Sequence, residues 1–171
     1  MVGSATSLSS QYRAAEALIA KDRLSEAEAL YRDLMEKEPV SPNGYIGLAG
    51  CLLMHKDFVG ARHLYKSALD LDPKSTGALI GLGSTYSTEL NYAKAAKTYE
   101  LALGLDEGCP EVHWGLAIAY AGLDRSDEAG KHLDRFKKLA PDSRYIPGLE
   151  KLVRRPQGQP AAPLSEDPSQ R

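Results

Sequence analysis

Cysteine is nearly absent from this chain of 171 residues: Cys51 and Cys109 are the only two. Two thiols cannot make a disulfide framework, and neither lies in a CxxC or Cys/His cluster of metal-ligand spacing. Cys51 stands in an apolar run and reads as a small buried hydrophobe, whereas Cys109, ahead of Pro110, reads as a loop thiol. A surplus of positive charge is also missing. Lys and Arg total 21 against 23 Asp and Glu, for a net charge of -2, so the cationic face that grips nucleic acid is not expected. No run of about 18 apolar residues exists to span a bilayer, and no membrane partner is expected. The N-terminal stretch MVGSATSLSSQYRAAEAL lacks a basic start followed by a long apolar core, so the expected compartment is the cytoplasm. The periplasm is the alternative if an export segment has been removed ahead of Met1.

The signatures of chemistry are missing too. The sequence holds no GxSxG, no glycine-rich phosphate loop and no HExxH. The four histidines, His55, His63, His113 and His132, include no pair at the i, i+4 spacing of a helical metal site. The expectation is therefore not an enzyme, with no catalytic residue, no metal and no cofactor.

What the chain has is a repeat. Hydrophobic residues make up 43% and charged residues 26%, ordinary for a folded domain, and at 34-residue steps the positions align in columns. One column reads Ala27, Ala61, Ala95, Ala129. Others read Tyr31, Tyr65, Tyr99, Leu133; Leu18, Leu52, Tyr86, Tyr120; Ala14, Leu48, Leu82, Leu116; and Ala15, Ala49, Gly83, Ala117. A terminal column holds Pro39, Pro73, Glu107, Pro141. Small residues recur because two antiparallel helices approach closely only where side chains are small, and large residues at helical spacing fill the space beside that crossing. Proline follows the second helix in three of the four pairs, since it cannot continue a helix on its N-terminal side.

These columns resemble the tetratricopeptide repeat over residues 8–143, in four copies without an insertion. The resemblance implies an all-α fold, a right-handed solenoid of antiparallel helix hairpins. Two departures stand out. The family's early tryptophan position holds Gln11, Tyr45, Leu79 and His113, and the third repeat has Glu107 where the terminal proline belongs, with Pro110 close behind. The expected organisation is an N-terminal extension over 1–7 and repeats over 8–41, 42–75, 76–109 and 110–143. A capping helix over 144–154, from about Pro147, would cover the last apolar face. Residues 155–171, RPQGQPAAPLSEDPSQR, read as a disordered proline-rich tail. First helices are expected near 8–20, 42–54, 76–88 and 110–122, and second helices near 24–37, 58–71, 92–105 and 126–139. Ser41, Asp57 and Asn91 are the expected N-caps, with Pro42 at a first helical position. His63 and His132, on second helices among charged residues, are expected on the solvated surface.

Charge is distributed unevenly between the two kinds of helix. Residues 42–54 and 76–88 contain no charged side chain, and 110–122 contain only Glu111, whereas 124–138 carry nine. In the family resembled, first helices line a concave face, which implies a neutral, partly apolar groove backed by a charged convex side. The family's groove positions correspond to Tyr12, Glu16 and Ile19; to Asn43, Ile46, Gly50, Leu53 and Met54; to Ile80, Ser84, Ser87 and Thr88; and to Trp114, Ile118 and Ala121. In-register glycines at Gly47, Gly81 and Gly115 either leave room for a ligand backbone or relieve crowding between helices. The Lys/Asn clamp by which some members hold acidic chaperone tails is absent, its places being taken by Tyr12, Glu16, Gly47, Gly77 and Gly81. The function implied is that of a scaffold or adaptor holding a peptide or helix of a protein partner. Two alternatives stand beside it. The run YIGLAGC at 45–51 resembles the second-repeat region of type III secretion translocator chaperones, which usually have three repeats and a longer N-terminal extension. The other alternative is self-association, with the groove taking the chain's own terminus or a neighbouring subunit.

Overall fold

Apolar spacing and the residues at helix ends divide the chain into an unbroken series of α-helices. A computed structural model describes residues 7–154. The extension expected over 1–7 lies, save Ser7, outside the described residues, as does the tail expected over 155–171. Along the chain run α1 (Leu8–Ile19), α2 (Leu24–Lys37), α3 (Pro42–Met54), α4 (Phe58–Leu71), α5 (Thr76–Thr88), α6 (Tyr92–Leu105), α7 (Pro110–Gly122), α8 (Ser126–Leu139) and α9 (Ile146–Val153). The first and second helices have the limits expected of them, except that α1 stops at Ile19; α9 begins at Ile146 rather than Pro147.

Side chains at the starts of helices satisfy amides that have no partner inside the helix. Asp57 Oδ1 accepts from Gly60 N at 2.9 Å and Asn91 Oδ1 from Lys94 N at 3.4 Å, as expected of these two caps. Ser75 Oγ accepts from Ala78 N at 3.4 Å. Ser41 differs: its side chain makes no capping bond to a helix amide. Each first helix ends at a residue in the left-handed region, Asp22, Lys56, Leu90 and Asp124, with φ of 57–63°. These four are themselves 34 residues apart. In each case the following amide reaches five residues back, as in Asp57 N to Leu52 O at 2.8 Å and Arg125 N to Tyr120 O at 2.9 Å. That bond closes the helix end in the manner of a Schellman turn.

The chain divides after Thr85 into two compact units. In the first, α1, α2 and α3 enclose Ala15, Ala27, Tyr31, Leu34, Leu48 and Cys51, with Tyr12, Leu18, Ile19 and Met35 packed around them. In the second, Tyr99, Val112, Leu116 and Leu149 are the large fully buried side chains, and α9 packs on α7 and α8 through Leu149 and Val153. The alanine column is buried throughout: Ala27, Ala61, Ala95 and Ala129 have no exposed surface, as close helix crossing requires.

Candidate partner-binding surface

In the first unit the candidate residues of α1, α3 and α5 fall into three groups. Tyr12 and Ile19 are partly buried against the α1–α3 core. The Tyr12 hydroxyl donates to Glu38 Oε2 at 3.1 Å, which ties α1 to the end of α2. Ile46, Gly50, Leu53, Ile80 and Ser84 are half-buried. Glu16, Asn43 and Met54 are open to solvent, Met54 with 50% of its surface exposed. Ile46 leans from α3 towards α5: a Cβ added to Gly77 would lie 3.9 Å from its Cδ1. Apart from Asn43, the accessible candidates of α3 are apolar, and the helix carries no charged side chain.

In the second unit the candidates separate differently. Ser87 is half-buried, its hydroxyl lacking a hydrogen-bond partner, and Thr88 is exposed. Ile118 and Ala121 are buried, with 8% and 5% of their surface exposed, which leaves little of either open to a partner. Trp114 is half-buried and turns towards the start of α9, its ring 6.0 Å from that of Tyr145 at an interplanar angle of 56°. It lines an open apolar pocket of about 370 Å³ with Pro110, Glu111, Phe136, Ala140, Ser143 and Tyr145. The sequence singled out Trp114 alone of these, because the rest belong to the start of α7, to α8 and its C-terminal turn, and to the approach to α9.

The in-register glycines have a packing role. A Cβ at Gly47 would collide with the ring of Tyr31, one at Gly81 with the ring of Tyr65, and one at Gly115 with the ring of Tyr99. The tyrosine column of each second helix thus enters the glycine column of the next first helix, sixteen residues on in each case. These notches are filled from within and offer no space to a ligand backbone. Burial pushes the Tyr31 and Tyr65 phenols up to about 12.

His132 is not on the solvated surface. It faces α7, with its Nδ1 3.0 Å from Nδ1 of His113 and its ring stacked on Tyr120 at 5.6 Å and 16°. His113 is itself buried, and its Nε2 lies 3.0 Å from the carbonyl oxygen of Glu107. A carbonyl can only accept, so His113 Nε2 carries a proton; the bond between the two Nδ1 atoms then has His132 donating and His113 accepting. His63, in contrast, is exposed as expected.

The thiols are poor nucleophiles. Cys51 is fully buried and burial pushes it up to about 11; Cys109 is raised by burial and by donating to Glu111 Oε2 at 3.1 Å. Both are free. Among the described residues no group of three or more His, Cys, Asp or Glu is placed to hold a metal ion, and no helix is long and apolar enough to cross a membrane.

Comparisons with known proteins agree with this architecture. Tetratricopeptide repeat models match residues 12–76 and 88–152. Among solved structures the chain is similar to a thermophilic tetratricopeptide protein of Thermus thermophilus, at 18% identity and a TM-score of 0.75 over 86% of this chain and 79% of that one. It is also similar to MamA (41-end) of Desulfovibrio magneticus, at 16% identity and a TM-score of 0.68 over 82% and 80%. A third similar structure is PilF of Pseudomonas aeruginosa, at 16% and 0.76 over 85% and 65%. No curated protein matches the sequence. At these identities the structures speak to the fold, an all-α stack of helical hairpins. The fold generally serves as a protein–protein interaction scaffold, and its members are typically not enzymes. With helix hairpins, small-residue crossings and three of four terminal prolines in the family's 34-residue register, this chain belongs to the tetratricopeptide repeat family.

Proposed function

We propose that the protein is a scaffold or adaptor that holds a peptide or helical segment of a protein partner on the first helices of its first unit. The observation that carries this reading is the accessible, uncharged surface of α3 and α5. Ile46, Leu53, Met54 and Ile80 are partly or well exposed on helices with no charged residue, while the second helices carry the charge. A surface of this kind keeps apolar anchors available and incurs no desolvation penalty for charge at its centre, which is how peptide grooves gain affinity. Met54 adds an unbranched, adaptable side chain at the rim.

The test is capture of partners by wild type and by Leu53→Glu/Ile80→Glu, with circular dichroism to establish that the variant is folded. Two carboxylates on the contact surface would have to be desolvated, and binding should weaken by about tenfold or more. A single protein held by wild type and lost by the folded variant supports the reading, and an otherwise aggregation-prone exported protein in that position would make the scaffold a secretion chaperone. Equal capture by both sinks it. Concentration-dependent size, abolished by the same substitutions, would make the occupant a second copy of the chain.

A further inference from the structure

We propose that the apolar pocket of the second unit is a docking site for the protein's own C-terminal segment, residues Pro160–Leu164. The pocket has the chemistry of a proline receptor. Trp114 and Tyr145, their rings packed on one another at 6.0 Å and 56°, line it together with the buried Phe136 and with Pro110. Tyr145 leaves 52% of its surface in solvent, a large aromatic exposure that no described segment covers. Exposed aromatic faces accept extended proline-rich chain because the proline ring stacks on them and little conformational entropy remains to be lost.

Reach and sequence identify the occupant. The described chain ends at Arg154, one residue beyond α9, and α9 begins beside the pocket at Tyr145 and Ile146. Eight helical residues put Arg154 about 12 Å from that start. Residues 155–159, RPQGQ, span about 15 Å when extended, enough to return to the pocket mouth, and Gly158 lies within them to turn the chain. The next residues, PAAPL at 160–164, are uncharged and present two prolines and a leucine. Glu166 and Asp167 follow, opposite in sign to Arg144, whose guanidinium lies 5.1 Å from the centre of the Tyr145 ring at the rim. Attachment favours the tail over any free peptide: a short tether gives an effective concentration near ~1 mM, which fills even a site of ~0.1 mM affinity to about nine-tenths.

Trp114 is the only tryptophan, so its fluorescence reads the pocket directly. The experiment compares the full chain with the full-length variant Pro160→Ser/Pro163→Ser/Leu164→Ser, whose changes lie outside every described helix. Emission maximum and acrylamide quenching are measured, and the synthetic peptide of residues 155–171 is then added to the variant. The variant should emit to the red of wild type and be quenched more readily, and the peptide should reverse both changes. Tyr145→Ser in the otherwise unaltered chain should raise quenching similarly and should abolish the peptide's effect in the tail variant. Identical quenching of wild type and tail variant, with no response to peptide, overturns the proposal. Protection that fades on dilution also overturns it, assigning the site to the tail of a second copy.

Discussion

A tyrosine ring against the bare Cα of a glycine is the recurring residue-scale contact of this protein: Tyr31 with Gly47, Tyr65 with Gly81, Tyr99 with Gly115. The fourth member of each column keeps the match. Leu133 replaces the tyrosine, Leu149 stands where the glycine would be, and both are buried. By register, a smaller side chain stands opposite a position that is no longer a notch. Gly81→Ala should therefore lower stability by about 1–3 kcal/mol, because the ring has to leave its rotamer or the helices must part. Gly130→Ala on α8, where nothing lies within 4 Å of the new methyl, should raise stability by roughly 0.5–1 kcal/mol through helix propensity. Denaturant midpoints of the two variants check the pair, and equal shifts in one direction would contradict it. The glycine register was plain in the sequence, but its purpose was not. A column shows that a small residue recurs, and only the folded chain shows which side chain from another helix occupies the space.

Helix limits were the most legible feature because each is enforced by local chemistry: proline after the second helices, Asp57 and Asn91 as caps, alanine at the crossings. The left-handed residues were harder to see, since the repeat fills the position with Asp, Lys, Leu and Asp rather than glycine. Contacts between elements were hidden for a different reason. His113 and His132 lie 19 residues apart on α7 and α8, at no motif spacing, and they meet only because the hairpin folds them together. The groups around them are Tyr120, whose hydroxyl donates to Glu100 of α6, Arg125 over the Tyr120 ring at 4.5 Å, Lys131 on α8 and the Glu107 carbonyl. Burial first, then the neighbouring His113, holds His132 below the ordinary histidine value of 6.5. The unfolded chain consequently binds a proton at higher pH than the folded one. This contribution to stability is complete above about 6.5 and is lost as pH falls from there through the depressed folded value. Thermal midpoints should drop between about pH 7.5 and pH 5, and His132→Phe, which keeps a ring over Tyr120, should flatten that dependence. An unchanged slope in the variant would show that other groups set it.

At the scale of the whole chain, a series of hairpins differs from a globular core in how far damage spreads. In repeat folds generally each unit rests on its sequence neighbours, and stability is close to a sum of local and nearest-neighbour terms. Ala61 is fully buried on α4, and Ala61→Glu places a carboxylate at a crossing with no room or partner for it, at a cost of about 3 kcal/mol or more. Amide hydrogen exchange should accelerate in α3 and α4 while α7, α8 and α9 keep their protection. Uniform loss of protection would mean that the chain unfolds as one cooperative body. The family was readable at this scale from periodicity alone. The proposed contact surface was readable only in outline, since Ile118 and Ala121 match groove positions by register yet are buried, and Trp114 serves a pocket closed by residues from α8 and the approach to α9.

The ring-and-notch register also bears on how such a chain can grow or shrink by inheritance. Duplicating or deleting one 34-residue block ahead of Leu133 returns a tyrosine to a glycine at every remaining junction, so the product is already matched. A deletion that joined Tyr99 to the helix carrying Leu149 would drive a ring into an occupied site. The register of Leu133 and Leu149 thus marks the end at which the series stops being interchangeable: a change of repeat number ahead of it leaves every ring with a notch, and a cut that separates the last repeat from α9 does not.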